Sequence, residues 1–322
     1  MTDGGTAATR PAWLTWTNRA IAAAGLVVVG WVCATAWPGL VHGHPLYPVL
    51  LALTVIGCVA ALVRNRRPRA ARPGVRRVLA FAAVAAAIAW VATMAWLRPF
   101  PAVEPALAAM ASDSTVTVTE SATRIELTPT GEASGTGVFF QPGAKVDARA
   151  YAAVLRPLGE AGYPVVIAKQ PVGIAFLALG AFDDTRDAHP EVVQWVIGGH
   201  SLGGVAASTE ADAADADQVA PAVGLLLYGS YPAGDVSSTL TAAVESISGS
   251  LDGLSTPEKI DASRADLPSD ATYTVIEGGV HAYFGDYGPQ PGDGTPTISH
   301  DDARIQISEA SLTFVDSVAS GP

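Results

Sequence analysis

Cysteine is nearly absent from this 322-residue chain: Cys33 and Cys58 are the only two, and none follows them. Residues 98–322 can therefore form neither a disulfide nor a thiolate metal site. A thiol-free segment suits oxidising and reducing surroundings equally, so the compartment stays open. Charge is withheld just as unevenly. Residues 1–97 have no lysine and a single acid, Asp3, against nine arginines. Residues 98–322 have ten Lys and Arg against 29 acids. A basic front and an acidic back thus stand behind the overall charge of −11. Phosphate binding requires a basic footprint, so the acidic back argues against nucleic acid as a partner.

The longest absence is of charge itself. From Ala20 to Val63, 44 residues, there is no Asp, Glu, Lys or Arg. Pro38-Gly39 and HGHPLYP (His42 to Pro48) interrupt the span. A helix needs about 20 residues to cross about 30 Å of hydrocarbon, so the span fits two passes and a turn. A third uncharged run, VLAFAAVAAAIAWVATMAWL, covers Val78 to Leu97. A secretory signal has one short apolar core and a cleavage site, which three such runs do not match. The expectation is a membrane anchor over 1–98 with helices at about 20–40, 46–63 and 78–97.

Arg64, Arg66, Arg67, Arg69, Arg72, Arg76 and Arg77 separate the second and third runs, and Arg10 and Arg19 precede the first. The positive-inside bias then puts the N-terminus in the cytoplasm and everything after Arg98 outside. No charge interrupts the runs, and intramembrane charges commonly mark ion paths, so anchoring is favoured over transport. PFPAVEPALAAMASDS, rich in Pro, Ala and Ser, reads as a linker over 99–114.

From residue 115 the rhythm changes. STVTVTE and ATRIELT suggest two short antiparallel strands. Then GTGVFFQP, YPVVIAK, VQWVIGG, VGLLLYGS, AVESISGS and TYTVIEGG read as buried strands. Helical stretches separate them: one from Asp147 to Ala161, one around GIAFLALGAF, SLGGVAASTEADAA, one from Pro257, and a last one near Ser299. Apolar strands alternating with helices imply a three-layer α/β fold, a mostly parallel sheet with helices on both faces.

In such a sheet functional groups gather at the carboxyl ends of the strands. Gly199-His200-Ser201-Leu202-Gly203 fits G-x-S-x-G where a strand turns directly into a helix. A serine on so tight a turn takes a strained backbone, and only residues without a Cβ flank it closely. As a phosphate loop the stretch lacks the following Lys-Ser/Thr. The N–H of Leu202, at the helix start, points where an oxyanion would form.

A serine nucleophile needs a base, and the base an orienting acid, here in the chain order serine, acid, histidine. His281, on a glycine-rich loop after the last strand, is the candidate base; His300 starts the last helix. His200 adjoins Ser201 and is read as packing. Asp252, after the penultimate strand, is the candidate acid, with Asp235 one strand earlier as its competitor. The second oxyanion donor is expected after the first parallel strand, at the N–H of Ala144 or its neighbour Lys145.

The combination FQPGAKVDARAY, YPVVIAKQP, GGHSLGG, SGSLDGLSTPEKI and EGGVHAYFGDYGPQPGDG resembles an alpha/beta hydrolase, in particular the compact dienelactone-hydrolase-like bacterial branch. It covers most of residues 136–300. The resemblance implies Ser201 as nucleophile, Asp252 as acid, His281 as base and oxyanion donors at Leu202 and near Ala144. Val280 departs from the polar residue common before the histidine, which puts a local hydrogen bond in question.

No cofactor is implied. Glu210, Asp212, Asp215 and Asp217 lack the ligand spacing of an EF-hand and read as a solvated helix end. About a dozen residues join the strands on either side of Asp235, too few for a lid. The loop AYFGDYGPQPGDGTPTIS either lines the entrance or is an ordinary proline-stiffened connection. Two readings follow: a membrane-anchored serine hydrolase acting on a small or lipid-like carboxylic ester outside the cytoplasm, or a catalytically silent binding domain on the same tether.

Overall fold

The computed structural model describes residues 12–64 and 75–320, and the chain divides into two compact units. The arginines of the expected cytoplasmic loop from Arg66 to Arg72, and Arg10, lie outside the described residues.

The first unit holds three helices: α1 Ala12–Val41, α2 Leu46–Arg64 and α3 Val75–Trp96. Each contains a stretch long and apolar enough to cross a membrane: Trp13–Val41, Leu46–Arg64 and Val78–Trp96. Large apolar side chains face outward, Val27 and Ile56 among them, as expected of helices whose solvent is hydrocarbon. α1 starts well before the expected position near residue 20, because the alanine-rich sequence carries the helix across Arg19. It kinks at Ala36 (φ −142°), where Pro38 removes a backbone donor. Small residues and a few polar bonds hold the bundle. A Cβ on Gly25 would lie 2.6 Å from Cys58 Sγ, and Trp90 Nε1 donates to Thr54 Oγ1 at 2.9 Å.

The second unit is built on one eight-stranded sheet: β1 Val116–Glu120, β2 Arg124–Pro129, β3 Thr136–Gln141, β4 Val165–Ala168, β5 Gln194–His200, β6 Ala222–Tyr228, β7 Ala243–Gly249 and β8 Thr272–Ile276. Their spatial order is β1-β2-β4-β3-β5-β6-β7-β8. β1 and β2 run antiparallel, and β3 to β8 are parallel. Alternation along each strand sorts side chains between two cores. Val138, Phe140, Val196, Leu226 and Tyr228 face the helices α4 Ala152–Glu160 and α8 His300–Ala319, while the short α7 Pro257–Ala262 follows β7. Phe139, Ile197, Leu225 and Leu227 face α5 Ala181–Ala188 and α6 Leu202–Ala214. Hence three layers. The chain passes from β3 outward to β4 and returns to β5 on the other side. The strand order therefore reverses between β3 and β5, where a doubly wound sheet opens a crevice at its carboxyl edge.

Three segments differ from the sequence expectation. The helix from Asp147 is a 3-10 turn (Ala148–Tyr151) before α4, with Asp147 accepting from the Arg149 N–H. The stretch around GIAFLALGAF forms two 3-10 turns before α5. Pro171 and Gly173 (φ +69°) break any regular helix there, and a Cβ on Gly173 would lie 2.7 Å from Lys145 Cα. The expected linker 99–114 packs onto the second unit. Phe100 N–H donates to Lys145 O at 2.7 Å and Val103 N–H to Asp286 O at 2.9 Å, and Ala106 is fully buried. Its backbone donors find acceptors on loops distant in sequence, which no local pattern announces.

Candidate active site

At the carboxyl end of β5 the chain enters α6 through Ser201, whose backbone sits at φ +53°, ψ −123°. A non-glycine residue persists there only when its surroundings fix it, at a cost of about 1–3 kcal/mol. Those surroundings are visible. Ser201 N–H donates to Tyr228 O on β6 at 3.0 Å, and its carbonyl accepts from Ser230 Oγ at 2.6 Å. The flanking glycines permit two close approaches. A Cβ on Gly199 would lie 2.4 Å from Gly203 C, and one on Gly203 would lie 2.0 Å from Gln141 O, where β3 ends. Only hydrogen fits in either gap.

Asp252 lies three residues past β7, and His281 on the turn after β8. The two meet: His281 Nδ1 is 2.8 Å from Asp252 Oδ2, and both side chains are 0% exposed. The other carboxylate oxygen, Oδ1, accepts from Leu254 N–H at 2.8 Å and Ser255 N–H at 2.7 Å. That carboxylate is fixed before it orients the ring. His281 Nε2 is buried and has no partner among the described residues.

The His281 ring packs on that of His200, with centroids 4.5 Å apart, so the imidazole stands beside the residue preceding Ser201. His200 is therefore more than the packing residue expected of it. The ring is fully buried, and burial, followed by the neighbouring His281, lowers its pKa well below the usual imidazole value. Its Nδ1 lies 2.8 Å from Tyr151 Oη, which accepts from Gly143 N–H at 2.9 Å. The hydroxyl thus has its proton free to give to Nδ1, as a neutral imidazole requires.

Neither the backbone N–H of Leu202, at the start of α6, nor that of Ala144, after β3, has an acceptor among the described residues. The alternative, Lys145, donates its N–H to Gly173 O at 2.7 Å and is thereby committed. Asp235 is spent in an exposed turn, accepting from Ser237 N–H at 2.9 Å. His300 stacks on Tyr283 at 4.3 Å, and the side-chain cap of α8 is Ser299.

The acidic run is corrected at one member. Glu210 is not solvated: it is 6% exposed and accepts from Gln141 Nε2 at 3.0 Å. Burial is the main reason its pKa is pushed up to about 8. The run is charged in sequence, but α6 turns this member toward β3. No group of three or more His, Cys, Asp or Glu among the described residues is arranged to hold a metal.

The sequence profile of the alpha/beta hydrolase family matches residues 137–305, just over half of the chain and essentially all of the six parallel strands β3 to β8. The chain belongs to the alpha/beta hydrolase family.

Solved alpha/beta hydrolases similar to it include the esterase domain of a Rhodothermus marinus protein, at 14% identity and TM-score 0.47 over 61% of this chain and 92% of that one. A dienelactone hydrolase-like promiscuous phosphotriesterase from metagenomic libraries matches at 16% identity and TM-score 0.43, over 61% and 92%. A monoacylglycerol lipase of Paleococcus ferrophilus matches at 14% identity and TM-score 0.45, over 61% and 99%. No curated protein sequence matches the chain. Within the alpha/beta hydrolase unit, the sequence reading gives Tyr151 and Asp293 no role and takes Glu210 for a solvated residue. Of these only Asp293 leaves a local signal, the Asp-Gly turn in PQPGDG.

Proposed function

We propose that this alpha/beta hydrolase is a membrane-anchored serine hydrolase that cleaves carboxylic esters at an active site outside the cytoplasm. Residues 1–98 serve as the anchor and 115–322 as the hydrolase domain. One observation supports the reading: the fully buried Asp252–His281 pair packs its imidazole 4.5 Å from the ring of His200, the residue directly before the strained Ser201 at the start of α6. A domain that only binds has no use for a strained serine next to an oriented imidazole.

In this reading Ser201 Oγ attacks the ester carbonyl carbon while His281 Nε2 takes the hydroxyl proton. Asp252 holds Nδ1–H and stabilises the imidazolium. The carbonyl oxygen becomes an oxyanion held by the N–H groups of Leu202 and Ala144, each worth about 3 kcal/mol in the transition state. Collapse expels the alcohol, which takes the proton from His281, and leaves an acyl-Ser201. Water, deprotonated by the same imidazole, then releases the acid and restores the serine.

The reading is tested with full-length protein in detergent and a fluorophosphonate probe. Wild type labels and hydrolyses p-nitrophenyl esters. Ser201→Ala does not label and loses at least about 10³-fold in turnover. A folded wild type that neither labels nor turns over would leave the silent binding domain as the better account.

A further inference from the structure

Asp293 holds the two loops of the Asp252–His281 pair together. Its Oδ1 accepts from His281 N–H at 3.0 Å, from Gly253 N–H at 3.2 Å and from its own neighbour Gly294 N–H at 2.7 Å. Its Oδ2 accepts from Ala282 N–H at 2.8 Å. One carboxylate thus receives four backbone donors from three stretches of chain. One stretch begins at His281, one follows Asp252 directly, and the third is its own turn.

The backbones it joins are in contact. A Cβ on Gly253 would lie 2.6 Å from Gly292 O, and one on Gly294 would lie 1.8 Å from Leu251 O. The turn around Asp293 therefore lies flush against the Asp252 loop, and an Asp-Gly pair supplies the close approach on each side. A turn that merely capped itself would need only the Gly294 bond. The bonds to Gly253, His281 and Ala282 reach up to 40 residues away.

We infer that Asp293 is a positioning residue: its carboxylate sets the register between the loops after β7 and β8 in which Asp252 and His281 meet. The physics is that of a charge-assisted clamp. Hydrogen bonds to an ionised acceptor are roughly twice as strong as neutral ones. Four of them on one side chain fix two loops that no strand ladder continues. Small displacements at such a site matter, since about 1 Å can cost about 10²-fold in rate. The inference deepens the proposed serine hydrolase and rests on it for its kinetic test.

The experiment compares wild type, Asp293→Ala and Asp293→Asn as full-length protein in detergent, by p-nitrophenyl ester kinetics and one-dimensional proton NMR of the far-downfield imidazole region. Asp293→Ala is expected to lower kcat by about 10²-fold with KM within about threefold. It is also expected to lose the downfield N–H signal of His281 bonded to Asp252. Asp293→Asn keeps one carbonyl acceptor but opposes an NH2 to the Ala282 N–H, so about a tenfold loss is expected and part of the signal survives.

Unchanged kcat and an unchanged signal in Asp293→Ala would overturn the inference. So would a kcat loss that only tracks the folded fraction, with the signal intact. If wild type shows no esterase activity, the proposed function fails. The NMR comparison alone then decides: loss of the signal in Asp293→Ala supports the clamp, and its persistence overturns it.

Discussion

Glu210 is a carboxyl group placed where a charge is costly. It lies on α6, beneath the start of the loop that carries Ala144, and its partner Gln141 also accepts from Gln170 Nε2 at 2.9 Å. Gln170 in turn donates to Pro142 O at 2.8 Å, so this buried network ends on the oxyanion loop. Burial raises the Glu210 pKa to about 8, helped by the charge of Asp183, while the Gln141 bond acts the other way. A folded-state pKa above the unfolded one contributes stability that is full below the ordinary carboxylate range. It is lost as pH rises through about 8. The unfolding free energy from about pH 5 to about 9 should therefore fall in wild type, by up to about 1.4 kcal/mol per pH unit, and stay flatter in Glu210→Gln. Parallel curves would show that Glu210 is ionised in the fold. The contrast with Ser201 is instructive. Ser201 was legible because the strain of its turn imposes glycines beside it in the sequence. Glu210 was not, because nothing in four nearby acids says which one the helix turns inward.

At the scale of elements, the strands were legible and some connections were not. GTGVFFQP and VGLLLYGS announce themselves because both faces of a parallel strand are buried, which leaves short apolar runs. Segment 99–114 has no such pattern. Its order comes from pairing with Lys145 and Asp286, and partners so remote leave no periodicity behind. The connection between β6 and β7, residues 229–242, is short by nature: it holds no helix, and Asp235 and Ser237 fold it into an exposed turn. With no helix between β6 and β7 to form a lid, entry should not depend on a lipid surface to open it. Turnover of a p-nitrophenyl ester should rise smoothly with concentration through the point where the ester forms micelles. A severalfold jump at that point would mean that another segment covers Ser201. The loop after His281 is partly inward as well, since Phe284 and Tyr287 are buried and lie 5.6 and 6.1 Å from the His200 ring.

At the scale of the molecule, two units of opposite charge share one chain. The three helices of the first unit are long and apolar enough to cross a membrane. The proposed orientation rests on the arginine bias about them, because each cation left on the inner side avoids a costly passage through hydrocarbon. In the proposed topology, three crossings deliver the alpha/beta hydrolase unit to the outside. The scarcity of cysteine makes this measurable. Beyond Cys58 the chain has no thiol, and Val219, 84% exposed just before β6, offers a position for one. Val219→Cys expressed in bacterial spheroplasts should react with a membrane-impermeant maleimide before any permeabilisation. Its signal should exceed by at least about tenfold that of the wild type, whose Cys33 and Cys58 lie on apolar helices. Labelling that appears only after lysis would place the hydrolase unit on the cytoplasmic side. The arginines would then face outward, against the bias on which the orientation rests.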